Sequence, residues 1–253
     1  MTVRRQLNAM ARLCYFNGLL PLYRTPLLVA AVFLTPFSFL FFLRVIGSPA
    51  FFPVGVVGGT LFTVLFTGNG MLNDCAYLRL ERQLQQVFVA SPVRPITYVL
   101  GMALSELAFA LPALGLFLGI LEIVRPFGWV TFAVLLGVIL LTWLMVTTLG
   151  FLISTLFKQL REIWPIGTLV FSTLSIIPPL FYPATRIPTQ YQWVAFLAPS
   201  TYAGQLAEHA VGLSYGALTP GILNSPWLDL VGLLGFTLAC GLAAAFLARL
   251  REP

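Results

Sequence analysis

The chain has 253 residues, of which 59% are hydrophobic and 9% are charged, and its formal net charge is +6. So few polar residues cannot cover so much apolar surface in water, which excludes an ordinary soluble globular protein. Long apolar runs recur along the whole sequence, so an all-α integral membrane protein is the expected class. In such a protein the basic residues report membrane topology, and they give no reason to expect a nucleic-acid partner.

Six segments are long and apolar enough to cross a membrane. A hydrocarbon core about 30 Å thick needs ~20 residues in a helix. We therefore predict six transmembrane helices, at Leu27–Val45, Phe51–Leu72, Ile96–Val124, Phe127–Phe157, Ile163–Tyr182 and Trp227–Leu250.

The arginines predict the orientation of these helices. If the N-terminus lies inside, the outer segments keep only Arg44, Arg125 and Arg186, and the other basic residues face the cytoplasm. That bias predicts a multi-pass protein of the cell's inner (plasma) membrane with both termini cytoplasmic.

Residues 1–26 are predicted to form a helix that lies in the membrane interface. On a helical wheel Val3, Leu7 and Met10 share one face, while Arg4 and Arg12 lie on the opposite one. A basic face of this kind favours anionic headgroups, whereas the apolar face enters the acyl boundary.

The region 183–215, before the last span, is too polar to cross the lipid and too apolar for an ordinary loop. Pro199, Gln205 and Glu208 interrupt its apolar residues. We predict an outer re-entrant region, in which a pair of short helices is shielded from lipid by its neighbours.

No residue pattern indicates catalysis or metal binding on this chain. The sequence has no glycine-rich phosphate loop ending in Lys-Ser or Lys-Thr, and its lysine, Lys158, follows an apolar span. His209 has no second ligand at metal spacing. We therefore expect no catalytic residue, no metal and no cofactor here.

The connection after the second span is amphipathic. As a helix from Tyr77 to Val89 it places Leu80, Leu84 and Phe88 on one face and Arg79 and Arg82 on the other. Ser91-Pro92 ends it, because the residue before proline avoids helical geometry. This segment, 77–91, either lies among the headgroups or inserts into the groove of a partner.

Two stretches of the sequence have features of one known family. The run Leu80–Gly101 has an acidic residue at the start of a helix, then Ser91-Pro92 and a glycine, and it resembles the cytoplasmic loop of the ABC-2 type transporter permeases. Pro178–Pro188, followed by Leu197-Ala-Pro-Ser-Thr-Tyr202, is similar to the stretch after the fifth span of the family. The start of span one, Leu22–Pro26, looks more like the drug and lipo-oligosaccharide branch than the O-antigen branch.

The resemblance implies one transmembrane domain over 1–253 that works without enzymatic activity of its own. Its implied partners are a second permease copy, giving a homodimer, and a separate ATP-binding subunit that holds ATP and Mg. Residues 77–91 would be the coupling helix, which contacts that ATPase through Leu80, Glu81, Arg82, Leu84 and Phe88. The sequence departs from the family at Gln83-Leu84, where Gly-Thr is usual, and at Glu208-His209, where an arginine is common.

Candidate residues for a substrate path lie on the first three spans. A wall of phenylalanines suits a hydrophobic or amphipathic substrate, and a carboxylate inside a span is costly unless it is neutral, paired or wet. Glu106 therefore either lines a cavity or hydrogen-bonds a neighbouring helix, while Asp74 is expected to be interfacial. The candidates are Phe37, Phe41, Phe62, Phe66, Thr67 and Glu106.

Three functions fit these observations. The first is the permease of an ATP-driven exporter that moves a hydrophobic drug, a lipid or a lipid-linked glycan by alternating access. The second keeps the family but exports a polysaccharide. The third is a channel or scaffold without an ATPase, and the coupling-type loop argues against it.

Overall fold

The structure, a computed structural model, describes residues 3–45, 51–81, 95–182, 186–213 and 225–251. These residues are almost entirely helical and contain no strand. In chain order the helices are α1 (Val3–Leu13), a π-helical stretch (Cys14–Leu19), α2 (Leu20–Arg24), α3 (Pro26–Val45), α4 (Phe52–Leu80), α5 (Pro95–Val124), α6 (Trp129–Leu156), α7 (Leu160–Ile176), a 3₁₀ turn (Thr189–Tyr191), α8 (Gln192–Phe196), α9 (Pro199–Ala210) and α10 (Pro226–Arg251).

Four of the helices in the described ranges are long and apolar enough to cross a membrane. They are α4, α5, α6 and α10. This set makes the chain a multi-pass membrane protein, as the composition predicts. Helix α3 has 20 residues and α7 has 17, and the prediction that these two also span the membrane stays a prediction.

Helix α4 is the buried centre of the bundle. In its most apolar window 89% of the residues are buried, whereas the corresponding fraction is 44% or less for α5, α6 and α10. It contacts α3, α5, α6, α7 and α9. A helix that is apolar on all sides is one that other helices surround, which explains why α4 has no single buried face.

Glycines permit a close contact between α4 and α6. A Cβ atom on Gly150 of α6 would overlap the carbonyl oxygen of Gly68 on α4, and one on Gly68 would meet the ring of Phe171 on α7. Only residues without a side chain allow backbones to approach this closely. The three helices α4, α6 and α7 therefore meet at one point.

The N-terminal helices lie along α5. Gly18 of the π-helical stretch packs against Ser105 and Ala108 so closely that a Cβ there would overlap the Ser105 carbonyl oxygen. The amide nitrogen of Asn17 donates to the Met102 sulfur at 3.1 Å. The predicted amphipathic segment is thus helical, and this part of it packs on protein.

The predicted coupling helix does not begin at Tyr77. Residues Tyr77 to Leu80 are the last turn of α4, and the Glu81 N–H donates to the Tyr77 carbonyl oxygen at 3.0 Å. The helix continues because no proline follows residue 72 before Leu80, so its hydrogen bonds are uninterrupted. The remainder of the predicted segment, in 82–94, lies outside the described residues.

The glycine contact gives a stability prediction. Gly150→Ala should lower the free energy of unfolding by about 1–3 kcal/mol, because the new methyl group forces α4 and α6 apart. Gly137→Ala is the matched control on the same helix, since no atom lies within 4 Å of a Cβ there. Thermal unfolding of both variants in detergent tests this; equal melting temperatures would contradict the packing.

Candidate functional site

The C-terminal end of α4 is bound to the C-terminal end of α6 by one arginine. Arg79 donates from Nη1 to the Thr155 carbonyl oxygen at 3.2 Å and from Nη2 to the Phe157 carbonyl oxygen at 2.5 Å. The last carbonyl groups of a helix lack partners within that helix and carry its negative dipole end. The Arg79 guanidinium group supplies hydrogen-bond donors to these carbonyl groups and a positive charge to the negative end of the dipole. Arg79 therefore caps α6 from a different helix.

An acidic pair joins α4 to α5 a little more than one turn before Arg79. The carboxyl groups of Asp74 and Glu106 hydrogen-bond to each other, and the Glu106 carboxyl occupies the space where Gly70 has no side chain. Two carboxyl groups form such a bond only when one of them carries a proton. Asp74 is therefore a helix-to-helix contact, and its predicted position at the membrane interface stays a prediction.

Sequence reasoning found Glu106 but missed its partner. The hydrogen bond to a neighbouring helix, one of the two alternatives for Glu106, is present in the structure, while a role of Glu106 in a substrate path stays a prediction. Gly70 and Asp74 are four residues apart, so they share one face of α4. The spacing of a small residue and an acidic residue on one helix face is the sequence pattern that could have indicated a partner for Glu106.

Helix α9 is inserted among α4, α6 and α10. In its first turn, the Ser200 hydroxyl donates to the Leu174 carbonyl oxygen of α7 at 2.5 Å. After its last turn, Arg125 donates to the carbonyl oxygens of Val211 at 3.2 Å and Gly212 at 3.0 Å. Gly212 has a φ of 69°, the left-handed conformation that glycine adopts most readily after a helix.

Glu208 is buried on this helix. Its side chain is 8% exposed, and burial raises the pKa of Glu208 from the ordinary 4.5 to about 8. The cause is desolvation, which disfavours the charged form of a carboxyl group.

Comparison with known families shows which family the chain belongs to. The family model described as ABC-2 type transporter matches residues 5–210, from α1 to the end of α9. The chain belongs to the ABC-2 type transporter family. A search of curated proteins finds no match to it.

Membership fixes the broad function. The chain is a permease of an ABC transporter, a membrane transport subunit that is not itself catalytic. Permeases of this family generally work with an ATP-binding subunit. The expected absence of a catalytic centre is thus in keeping with the family.

The predicted ATPase contacts of this ABC-2 permease are described only in part. Leu80 packs half-buried at the edge of the hydrophobic core, and Glu81 is exposed beyond it. Arg82, Leu84 and Phe88 lie outside the described residues. The contact of Arg79 with the end of α6 was not predicted from the sequence, because its two acceptors are 76 and 78 residues away along the chain.

The predicted substrate-path phenylalanines of α4 belong to an aromatic cluster. Phe62 is 5% exposed, and its ring centroid lies 6.0 Å from Phe66 and 6.2 Å from Phe39 of α3. Phe181, which follows α7, stacks on Phe39 at 4.8 Å. Of these, Phe66 is exposed, with 39% of its surface accessible.

The other candidates have different surroundings. Phe37 packs against Phe117 of α5 at 5.1 Å, whereas Phe41 is exposed on α3. Thr67 is buried, and its hydroxyl donates to the Val64 carbonyl oxygen at 2.7 Å. A role for these residues in a substrate path stays a prediction.

Removing the Glu106 carboxyl tests the acidic pair. Glu106→Ala leaves the Asp74 carboxyl without this partner and should cost about 1–3 kcal/mol of unfolding free energy. Glu106→Gln should stay close to wild type, because an amide can both donate and accept. The exposed Glu162→Ala is the control, and unfolding in detergent is the measurement. If Glu106→Ala and Glu106→Gln had the same free energy of unfolding, the hydrogen bond would not contribute to stability.

Glu208 gives a pH dependence of stability. The folded chain holds this proton up to about pH 8, whereas the unfolded chain releases it near 4.5. The folded state therefore binds more protons in that window, and the free energy of unfolding should fall as the pH rises through it. Glu208→Gln should flatten this slope in melting curves, while the exposed Glu122→Gln should not. A wild-type slope in Glu208→Gln would contradict the burial.

Proposed function

We propose that this ABC-2 permease is the membrane subunit of an ATP-driven exporter for a hydrophobic or amphipathic substrate. The family match over residues 5–210 is the observation that carries the proposal. The cargo is a drug-like compound, a lipid or a lipid-linked glycan, and two permease copies with two ATP-binding subunits make the complete transporter. Each ATP-binding subunit holds ATP and Mg.

In the proposed topology the permease crosses the inner (plasma) membrane six times, and both of its termini lie in the cytoplasm. Helices α3 and α7 supply the two crossings beyond α4, α5, α6 and α10. The distribution of arginines supports this orientation, since Arg79, Arg161 and Arg251 then all lie inside. The C-terminal ends of α4 and α6 face the cytoplasm in this arrangement.

The proposed coupling runs through the connection that follows α4. An ATP-driven closure of the partner subunits displaces this connection, and the buried α4 carries the displacement into the bundle. Alternating access then results from the rotation of helices around a central cavity.

The proposed substrate class follows from aromatic surface. The ring of Phe66 on α4 and that of Phe41 on α3 stay exposed in the single chain. Aromatic walls bind apolar groups by contact area and make few directional demands. A surface of this kind favours a lipid-like or drug-like cargo.

Gentle purification from the native membrane, followed by native mass spectrometry, tests the proposal. The expected result is a complex of two permease copies with an ATP-binding subunit, carrying a bound lipid or glycolipid. A homo-oligomer without an ATPase, obtained under conditions that preserve other ABC transporters, would contradict it.

Glu81 provides the matching functional prediction. Because Glu81 is exposed at the end of α4, Glu81→Ala should weaken binding of the ATP-binding subunit by about fivefold or more. ATP-dependent translocation of a fluorescent phosphatidylethanolamine in proteoliposomes should fall with it, and the exposed Glu162→Ala should behave as wild type. Undiminished translocation by Glu81→Ala would count against the assigned docking site.

A further inference from the structure

We propose that Arg79 is a positioning residue that makes α4 and α6 move together, so that a displacement of the C-terminal end of α4 reaches α6 and α7. The movement itself rests on the proposed function. The connection between the two helices does not, because it is present in the single chain.

The contact between Arg79 and the end of α6 requires the two separate donors of a guanidinium group. Its two terminal nitrogens reach two different carbonyl groups, those of Thr155 and Phe157, at 3.2 and 2.5 Å. Arginine holds its donors in a rigid planar fork, whereas lysine offers one compact ammonium group. A charged donor also makes a stronger hydrogen bond to a carbonyl oxygen than a neutral one does.

A second contact makes the connection rigid. Gly68 and Gly150 bring the backbones of α4 and α6 into direct contact, and Arg79 lies about three helical turns, or ~16 Å, farther along α4. The two helices also pack extensively against each other. Hydrogen bonds held this far from the glycines oppose a rotation of one helix about the other.

The accepting carbonyls lie where α6 passes into α7. Helix α6 ends at Leu156, Phe157 is extended with φ −94° and ψ 149°, and α7 begins at Leu160. A displacement of the Phe157 carbonyl therefore moves the start of α7 as well. Arg79 thus links three helices of the bundle through one side chain.

Spin labelling of the complex with its ATP-binding subunit tests the connection at rest. The label is placed on Gln159→Cys, an exposed position between α6 and α7, after Cys14, Cys75 and Cys240 are replaced. Arg79→Gln should raise the mobility of this label in the EPR spectrum, and Arg79→Lys should restore it in part. Arg161→Gln, an exposed arginine two residues from the label, should change nothing.

The same label tests transmission. A second label on Asn8→Cys, exposed on α1, reports the distance from the α6–α7 junction to the N-terminal helix. ATP with vanadate should shift this distance in wild type and in Arg161→Gln. In Arg79→Gln the shift should be lost while ATP hydrolysis continues.

The outcomes separate this inference from the proposed function. Wild-type label mobility in Arg79→Gln, or a wild-type shift in that variant, would overturn the inference. An active complex that shows no shift even as wild type would overturn transmission. Absence of any bound ATP-binding subunit would count against the proposed function, and label mobility in the permease alone would still decide whether Arg79 holds the two helices.

Discussion

The close contact between Gly68 and Gly150 is the constraint on which the bundle depends. It brings α4 and α6 together at backbone distance and leaves room there for the ring of Phe171 from α7. Once α4 is held in this way, the other helices bury it from every side. An apolar helix with no polar face becomes the centre of the molecule, and the polar contacts at its C-terminal end are set by that placement.

Those polar contacts connect α4, the central helix, to two of its neighbours. The Asp74–Glu106 pair joins α4 to α5, and Arg79 joins it to α6. The net contribution of one hydrogen bond between helices in a membrane is small, about 0.6 kcal/mol on average in one measured system, and is less than the cost of leaving a buried carboxyl group unpaired. Their effect here is geometric, because two separate partners at one helix end restrict the directions in which that end moves. Such a restriction suits the helix movement that we propose for this permease.

Much of this architecture could be predicted from the sequence. The apolar runs gave helices close to their observed bounds, as α5 (Pro95–Val124) and α6 (Trp129–Leu156) show. The resemblance in residues 80–101 and 178–202 named the family that the comparison over 5–210 then established. Composition and periodicity are local properties, and they suffice for the helices and for their class.

Contacts between distant segments could not be predicted in the same way. Arg79 falls on the polar face of an amphipathic pattern, and nothing local shows that the carbonyl groups of Thr155 and Phe157 lie beside it. The same limit hid the partner of Glu106, and the end of α4 at Leu80 was missed because the change to polar residues after residue 72 looked like a boundary.

Cryo-electron microscopy of the permease with its ATP-binding subunit, without nucleotide and with ATP–vanadate, tests whether α4 and α6 behave as one rigid unit. We expect these two helices to superpose between the states, with the Gly68–Gly150 contact retained while the unit moves against α3. A sliding of α4 along α6 that separates these glycines would contradict it.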